Sequence, residues 1–283
     1  MKNVYYAFFL ATLVFFISCK NSIKVSEDSV YSRHLQKHIK LTIITTPLPR
    51  EKSTLNLLLL NDGQDINRLR VKETVDSLYK KNLIQSLIVV AIHTDNRMQE
   101  YGVAGFPDFK RNGNDATKYS AFIDDELYPF IKKKISIRKF NSVIIGGVSL
   151  GGLSAFDIAW DHADKINKVG VFSGAFWWRD KDVNSKDYSD ENNRIMLKKL
   201  RSSRKKPHLK YWFYAGGNEE EDDRDKDGVI DVIDDTKDLI NVIKNKNVAS
   251  YGDIVYKEIK EGKHDYAYWS QVFPDFLIWS VGK

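Results

Sequence analysis

The sequence predicts an α/β fold with a largely parallel central sheet. Two observations carry that prediction. Short β-branched or leucine-rich runs alternate with helix-patterned stretches along most of the chain. One such run, residues 143–145, passes straight into Gly146-Gly147-Val148-Ser149-Leu150-Gly151-Gly152, and a helix-like segment follows.

Taken in order, residues 40–46 and 55–60 read as the first two strands, and 69–80 as a helix. Residues 86–93 form a third strand, apolar on both faces as a central parallel strand must be. A long polar loop covers 94–114. Helical periodicity then runs over 116–134 through Tyr119, Phe122, Leu127, Phe130 and Ile131. The strand 143–145 and the helix 150–161 flank the serine turn. Strands follow at 168–172 and 210–215, a helix at 236–244, a last strand at 253–259 and a closing helix at 266–280. With no internal repeat and no Pro/Gly linker, one domain over 38–283 is the economical reading.

Composition narrows the class. Of 283 residues, 42% are hydrophobic and 12% aromatic, which describes a globular chain. The net charge of +6 comes from interspersed signs without a basic face interleaved with aromatics, so nucleic acid is not an expected partner. Residues 1–18 have the layout of an export signal: Lys2, an apolar stretch over 4–17, then the chain's single cysteine, Cys19. The pattern resembles a bacterial lipoprotein signal, with Phe16 where leucine is preferred. It predicts lipidation at Cys19, a polar tether over 19–37, and a cell-envelope location, periplasmic or outer-membrane-associated. Having no second cysteine, the exported domain forms no internal disulfide.

The chemistry starts from Ser149 in Gly147-x-Ser149-x-Gly151. A serine on a tight strand-to-helix turn points out of the sheet as a nucleophile, and flanking side chains would collide with strand or helix. The reading is therefore an α/β-hydrolase, whose chain order is serine, acid, histidine. Of six histidines, only His264 follows the last strand, in Glu261-Gly262-Lys263-His264-Asp265. The acid belongs after the strand 210–215, where Glu219, Glu220, Glu221, Asp222 and Asp223 stand in a row. Position alone does not choose among them. One oxyanion donor is the N–H of Leu150, after the nucleophile. The other belongs to the loop Asn61-Asp62-Gly63-Gln64-Asp65.

Across 38–283 the chain resembles the esterase D / enterochelin-esterase-like group of α/β-hydrolases, which includes feruloyl esterases and mycolyltransferases. The resemblance rests on LLLLNDGQD (57–65), on Asn96, Arg97, Glu100 and Tyr101, and on FIDDELYPFI (122–131). It continues through GGVSLGGLSA (146–155), FSGAFWW (172–178), YAGGNEE (214–220) and GKHDYAYW (262–269). It implies Ser149 as nucleophile, His264 as base, and the Gln64 and Leu150 N–H groups as the oxyanion hole. It implies Glu220 as the acid, with Glu219 as runner-up. Asn61, where many relatives carry an apolar residue, is expected to matter little. The implied substrate is a carboxylic ester: a siderophore lactone, a feruloyl-sugar ester or a small acyl ester. The alternative is a binding lipoprotein without turnover on the same scaffold.

Beside the acid, residues 223–234 repeat the spacing of an EF-hand-type loop. Asp223, Asp225 and Asp227 take positions one, three and five, Gly228 six, the Val229 carbonyl seven and Asp234 twelve. Asp at twelve in place of Glu predicts weaker binding. The reaction requires no cofactor; the metal the sequence suggests is a structural calcium ion. Trp177, Trp178 and Trp269 are the aromatics expected to line the substrate pocket, because their segments converge on the C-terminal edge of the sheet.

Overall fold

Strands buried along their whole length sit in the middle of the sheet, and a strand of mostly exposed polar residues sits at its edge. The computed structural model describes residues 22–250 and 252–283. The export signal over 1–18 and Cys19 lie outside the described residues. In chain order the elements are β1 (Lys24–Ser32), β2 (Lys37–Thr45), β3 (Asn56–Leu60), α1 (Val71–Lys80), β4 (Leu87–Ile92) and α2 (Arg97–Glu100). Next come α3 (Ala116–Ala121), a π-helical turn (Phe122–Leu127), α4 (Tyr128–Ile135), β5 (Ser142–Val148), α5 (Leu150–Asp161), β6 (Lys168–Phe172), α6 (Asp190–Asn193) and α7 (Ile195–Ser202). The chain closes with β7 (Lys210–Gly216), α8 (Asp231–Asn245), β8 (Ile254–Ile259) and α9 (Tyr266–Val281).

The eight strands form one sheet in the order β1-β2-β4-β3-β5-β6-β7-β8. β4 to β8 and β3 run parallel, and β1 and β2 pair antiparallel at one edge. The predicted α/β-hydrolase architecture is therefore what forms. Every residue of β3, β4 and β5 is buried, so their continuous apolar runs follow from helices covering both faces. One face packs α3, α4 and α5 through Tyr119, Phe122, Ile131, Leu153 and Phe156. The other packs α1 and α9 through Val75, Leu78, Phe273 and Phe276.

The expected tether over 19–37 is corrected by β1, which begins at Lys24. It escapes a pattern search because KVSEDSVYS buries only Val30 and Ser32. Its stability comes from a nine-residue register against β2, from Lys24↔Thr45 to Ser32↔Lys37. The predicted helix over 116–134 is present as α3, the π turn and α4 in succession. Among the described residues, no helix is long and apolar enough to cross a membrane.

Candidate active site

Parallel strands deliver their C-terminal ends to one edge, and four neighbouring strands each deliver a polar side chain there. β5 leads to Ser149, β6 to Ser173, β7 to Glu219 and β8 to His264. Ser149 has φ 53° and ψ −123°, a backbone conformation that costs roughly 1–3 kcal/mol for a non-glycine residue. Several bonds hold it there. Its N–H donates to the Phe172 carbonyl (2.8 Å), and its own carbonyl accepts from Gly152 (2.9 Å) and Ala175 (3.2 Å). A Cβ at Gly147 would overlap the Gly151 carbonyl, so no side chain fits below the turn.

His264 Nδ1 lies 2.8 Å from Glu219 Oε2. With Glu219 ionised, Nδ1 carries the proton and Nε2 is left free to accept one. The Glu219 side chain is only 1% exposed, so its charge needs partners. Its Oε1 accepts from Ser173 Oγ (2.5 Å) and from the Gly216 N–H (2.5 Å). Ser173 Oγ in turn accepts from Trp269 Nε1 (2.8 Å), and the Trp269 ring meets His264 edge-on at 5.0 Å.

The acid that meets the histidine is thus Glu219, and the expectation of Glu220 is corrected. Glu220 Oε1 accepts from the Val232 N–H at the start of α8. Burial, helped by Asp231, Asp222 and Asp235, pushes its carboxyl up to about 7. The choice is made by loop register. Gly217 and Asn218 donate to the Ile259 and Gly262 carbonyls (both 2.8 Å), which docks the acid loop on the His264 turn. A Cβ at Gly216 would overlap the Gly262 backbone, so this docking needs glycine.

The second expected oxyanion loop follows β3. Asp62 adopts the left-handed conformation (φ 60°) and Gly63–Asp65 form a short 3-10 turn. Among the described residues, neither the Gln64 nor the Leu150 N–H has a hydrogen-bond partner. Both are free to bind an incoming anion.

Sequence reasoning missed what holds that loop. Arg97 Nε donates to Asp62 Oδ1 at 2.8 Å, and its Nη2 reaches Asp62 Oδ2 (3.4 Å) and the Val148 carbonyl (3.2 Å). Burial pushes the Asp62 carboxyl up, and the guanidinium opposes this. The Asp62 N–H donates to the buried Tyr101 hydroxyl at 2.9 Å. Asn61, expected to matter little, is a buried clamp: its Nδ2 donates to the Gly151 carbonyl (2.8 Å) and its Oδ1 accepts from Tyr119 (2.7 Å). The grouping of Arg97, Glu100 and Tyr101 among the residues that carry the family resemblance was the available signal, but it does not name Asp62 as the target.

The pocket aromatics separate. Trp177 is 37% exposed, whereas Trp178 and Trp269 are buried. The expectation that Trp178 and Trp269 line the pocket is corrected. Trp178 packs beside Gly102 and Gly113 and donates to the Phe106 carbonyl (3.3 Å), and Trp269 supports Ser173 and His264.

In the acidic loop, carboxylate oxygens of Asp223, Asp225 and Asp227 lie within 4.8 Å of one another. Gly228 has φ 92°, its N–H donates to Asp223 (3.0 Å), and the Val229 N–H donates to Asp227 (2.8 Å). Asp234 stands in the first turn of α8 and is not in that trio; burial and Asp227 push its carboxyl up to about 6. Arg224 braces the loop on Asp231 (2.5 Å) and Asp235 (2.6 Å).

The family model described as "Putative esterase" matches residues 32–280. The chain belongs to this esterase family. Membership makes it a serine esterase, as its relation to the enterochelin-esterase-like group implied. A curated relative, the uncharacterized protein YbbA of Bacillus subtilis (strain 168), is 24% identical over 231 residues, 79% of this chain and 84% of that one. The fold is similar to a ferulic acid esterase (TM-score 0.65, 18% identity, 92% of this chain and 98% of that chain). It is also similar to the enterobactin esterase from Shigella flexneri (TM-score 0.67, 18% identity, 90% of this chain), of whose chain it spans 58%.

Proposed function

We propose that the protein is an exported, lipid-anchored esterase that cleaves carboxylic esters through an acyl-enzyme on Ser149. The observation that carries this reading is the 2.8 Å pairing of His264 with buried Glu219, two strands along from the strained Ser149 turn. His264 Nε2 takes the Ser149 proton as Oγ attacks the ester carbonyl. Glu219 holds the ring and stabilises the imidazolium. The Gln64 and Leu150 N–H groups bind the tetrahedral oxyanion, each donor being worth about 3 kcal/mol. The imidazolium returns its proton to the departing alkoxide. Water, deprotonated by His264, then frees the acid and restores Ser149.

Substrate choice belongs to the two segments 94–114 and 174–208. They share a cleft of about 480 Å³ lined by Phe106, Phe109, Arg111, Ile195 and Lys198, whose walls include neither Trp177 nor any of Ser149, Gln64 and His264. Phe106 and Trp177 are exposed large aromatics on these segments. Their exposure favours an aromatic ester, siderophore or feruloyl in type, over a small acyl ester. A fluorophosphonate probe should label the wild type and not Ser149→Ala. A panel of catecholate-lactone, feruloyl-sugar and short acyl esters should show the highest kcat/KM on an aromatic member. Equal labelling of Ser149→Ala would remove the nucleophile, and a preference for acetyl esters would remove the aromatic reading.

The loop 223–234 is proposed to hold a structural calcium ion on Asp223, Asp225, Asp227, the Val229 carbonyl and Asp234. Three carboxylates in mutual reach, with glycine turning the loop at position six, support this. The ion would brace the segment that carries Glu219 and takes no part in bond breaking. Millimolar calcium should raise the melting temperature of the wild type and not of Asp225→Asn/Asp227→Asn. A wild-type melt indifferent to calcium would return the loop to a solvated turn.

A further inference from the structure

The two edges of the sheet carry opposite charge. The segments at the edge where the parallel strands begin are 46–55, 81–86, 136–141, 162–167, 203–209, 246–253 and 282–283. Together they hold 11 Lys/Arg against 3 Asp/Glu. The segments at the catalytic edge are 33–36, 61–70, 93–115, 173–194, 217–230 and 260–265, with 20 Asp/Glu against 14 Lys/Arg. A net charge of +6 conceals this, because along the sequence the signs are mixed and only the fold sorts them.

The basic edge is not neutralised locally. Arg50, Lys81, Arg138, Lys139, Arg204 and Lys206 are exposed, and none has a carboxylate at ion-pair distance among the described residues. Two exposed leucines, Leu48 (50%) and Leu83 (43%), stand among them. Cations flanking exposed aliphatics make a surface suited to a lipid headgroup layer with shallow apolar contact. The segments expose no tryptophan or phenylalanine to stack on bases, which argues against a nucleic acid.

The chain's own course supplies the second argument. Lys24 pairs with Thr45, and Thr45 pairs with Ile88 near the start of β4. The described chain therefore enters the sheet at the basic edge. Cys19 is five residues earlier, within ~17 Å even if fully extended. A lipid on that cysteine would hold the basic edge, and not the catalytic edge, next to a bilayer.

We infer that the strand-start edge of the sheet is a docking face for an anionic bilayer, which leaves the Ser149 edge facing the aqueous compartment. The inference rests on the proposed anchor for where the bilayer lies. Because such contacts act over roughly a Debye length of 8–10 Å, salt disperses them.

The test is hydrogen exchange on the full-length chain in nanodiscs of phosphatidylcholine alone or with about one-third phosphatidylglycerol. Exchange in 136–141 and 203–209 should slow at least ~10-fold in the anionic discs only, and recover at about 0.5 M salt. Segment 217–230 should not change. The variant Arg138→Glu/Arg204→Glu/Lys206→Glu should lose the slowing while keeping wild-type turnover of a soluble ester, which shows that it folds. Protection that is equal in both discs, missing, or confined to 217–230 overturns the docking face. Intact mass reads lipidation of Cys19 separately. A chain without lipid is given the same two lipid compositions as vesicles, so the anchor can fail while the face stands, or the reverse.

Discussion

Glu219→Gln should lower ester turnover by about 10⁴-fold, while Glu220→Gln should stay within a few fold of wild type. The large effect follows from geometry. Glutamine at 219 presents an amide that can donate to Nδ1, which forces the wrong imidazole tautomer and removes the charge that stabilises the imidazolium. Its neighbour never meets the histidine and instead accepts from the Val232 N–H, a bond that glutamine keeps. Stability moves the other way. Glu220 sits at about 7 in the fold, above the ordinary carboxylate range. A raised value stabilises fully below the unfolded pKa, and that stabilisation is lost as pH rises through about 7. The wild type should therefore lose melting temperature relative to Glu220→Gln between pH 5 and 8, by ~3 °C, allowing for partial solvent screening. Kinetics of the two variants and paired thermal melts check both halves. Loss of turnover in Glu220→Gln with Glu219→Gln intact would reverse the assignment.

The second large effect is expected at Arg97, which touches no atom of Ser149, Glu219 or His264 by hydrogen bond. Arg97→Ala leaves the Asp62 carboxylate, 3% exposed, without its cation. Breaking a buried pair on one side costs about 3–5 kcal/mol, which for a chain of this size is a fall of roughly 10 °C in melting temperature. Because the same guanidinium ties the loop to the Val148 carbonyl, the Gln64 N–H should also drift, lowering kcat by ~10²-fold. Arg97→Gln/Asp62→Asn, which removes both charges, should recover much of the stability. A melt of Arg97→Ala within a degree or two of wild type would show that the pair is not what holds the loop.

How far the sequence could be read depends on how local each determinant is. The serine turn was legible because one pentapeptide and the aliphatic run before it contain the whole device. β3, β4 and β5 were legible because burial on both faces fills them with aliphatic residues and glycine, leaving a polar residue only at the first position of β3 (Asn56) and of β5 (Ser142). β1 was not, since an edge strand with exposed polar residues looks like a tether until its partner is known. The acid could not be read from five consecutive carboxylates, because the choice is made by the segment 216–218 docking on 259–262, more than 40 residues on. The Asp62–Arg97 pair and the Ser173–Trp269 support are likewise long-range. The adjacent Trp177 and Trp178 differ only in which way the backbone turns them. The charge separation between the two edges has the same origin, since it exists only once strand direction is known.

His264 is carried out of β8, the last strand in the sheet, which has a single neighbour and whose residues are mostly half-buried. The serine, by contrast, leaves a strand sealed on both sides. The two halves of one reaction are therefore mounted on supports of unequal local stability. Transient fraying of that outer strand withdraws the base and leaves the nucleophile and the sheet as they were. Heat or denaturant should thus silence such an enzyme reversibly before it unfolds, and whatever braces the outer strand governs how long it stays active.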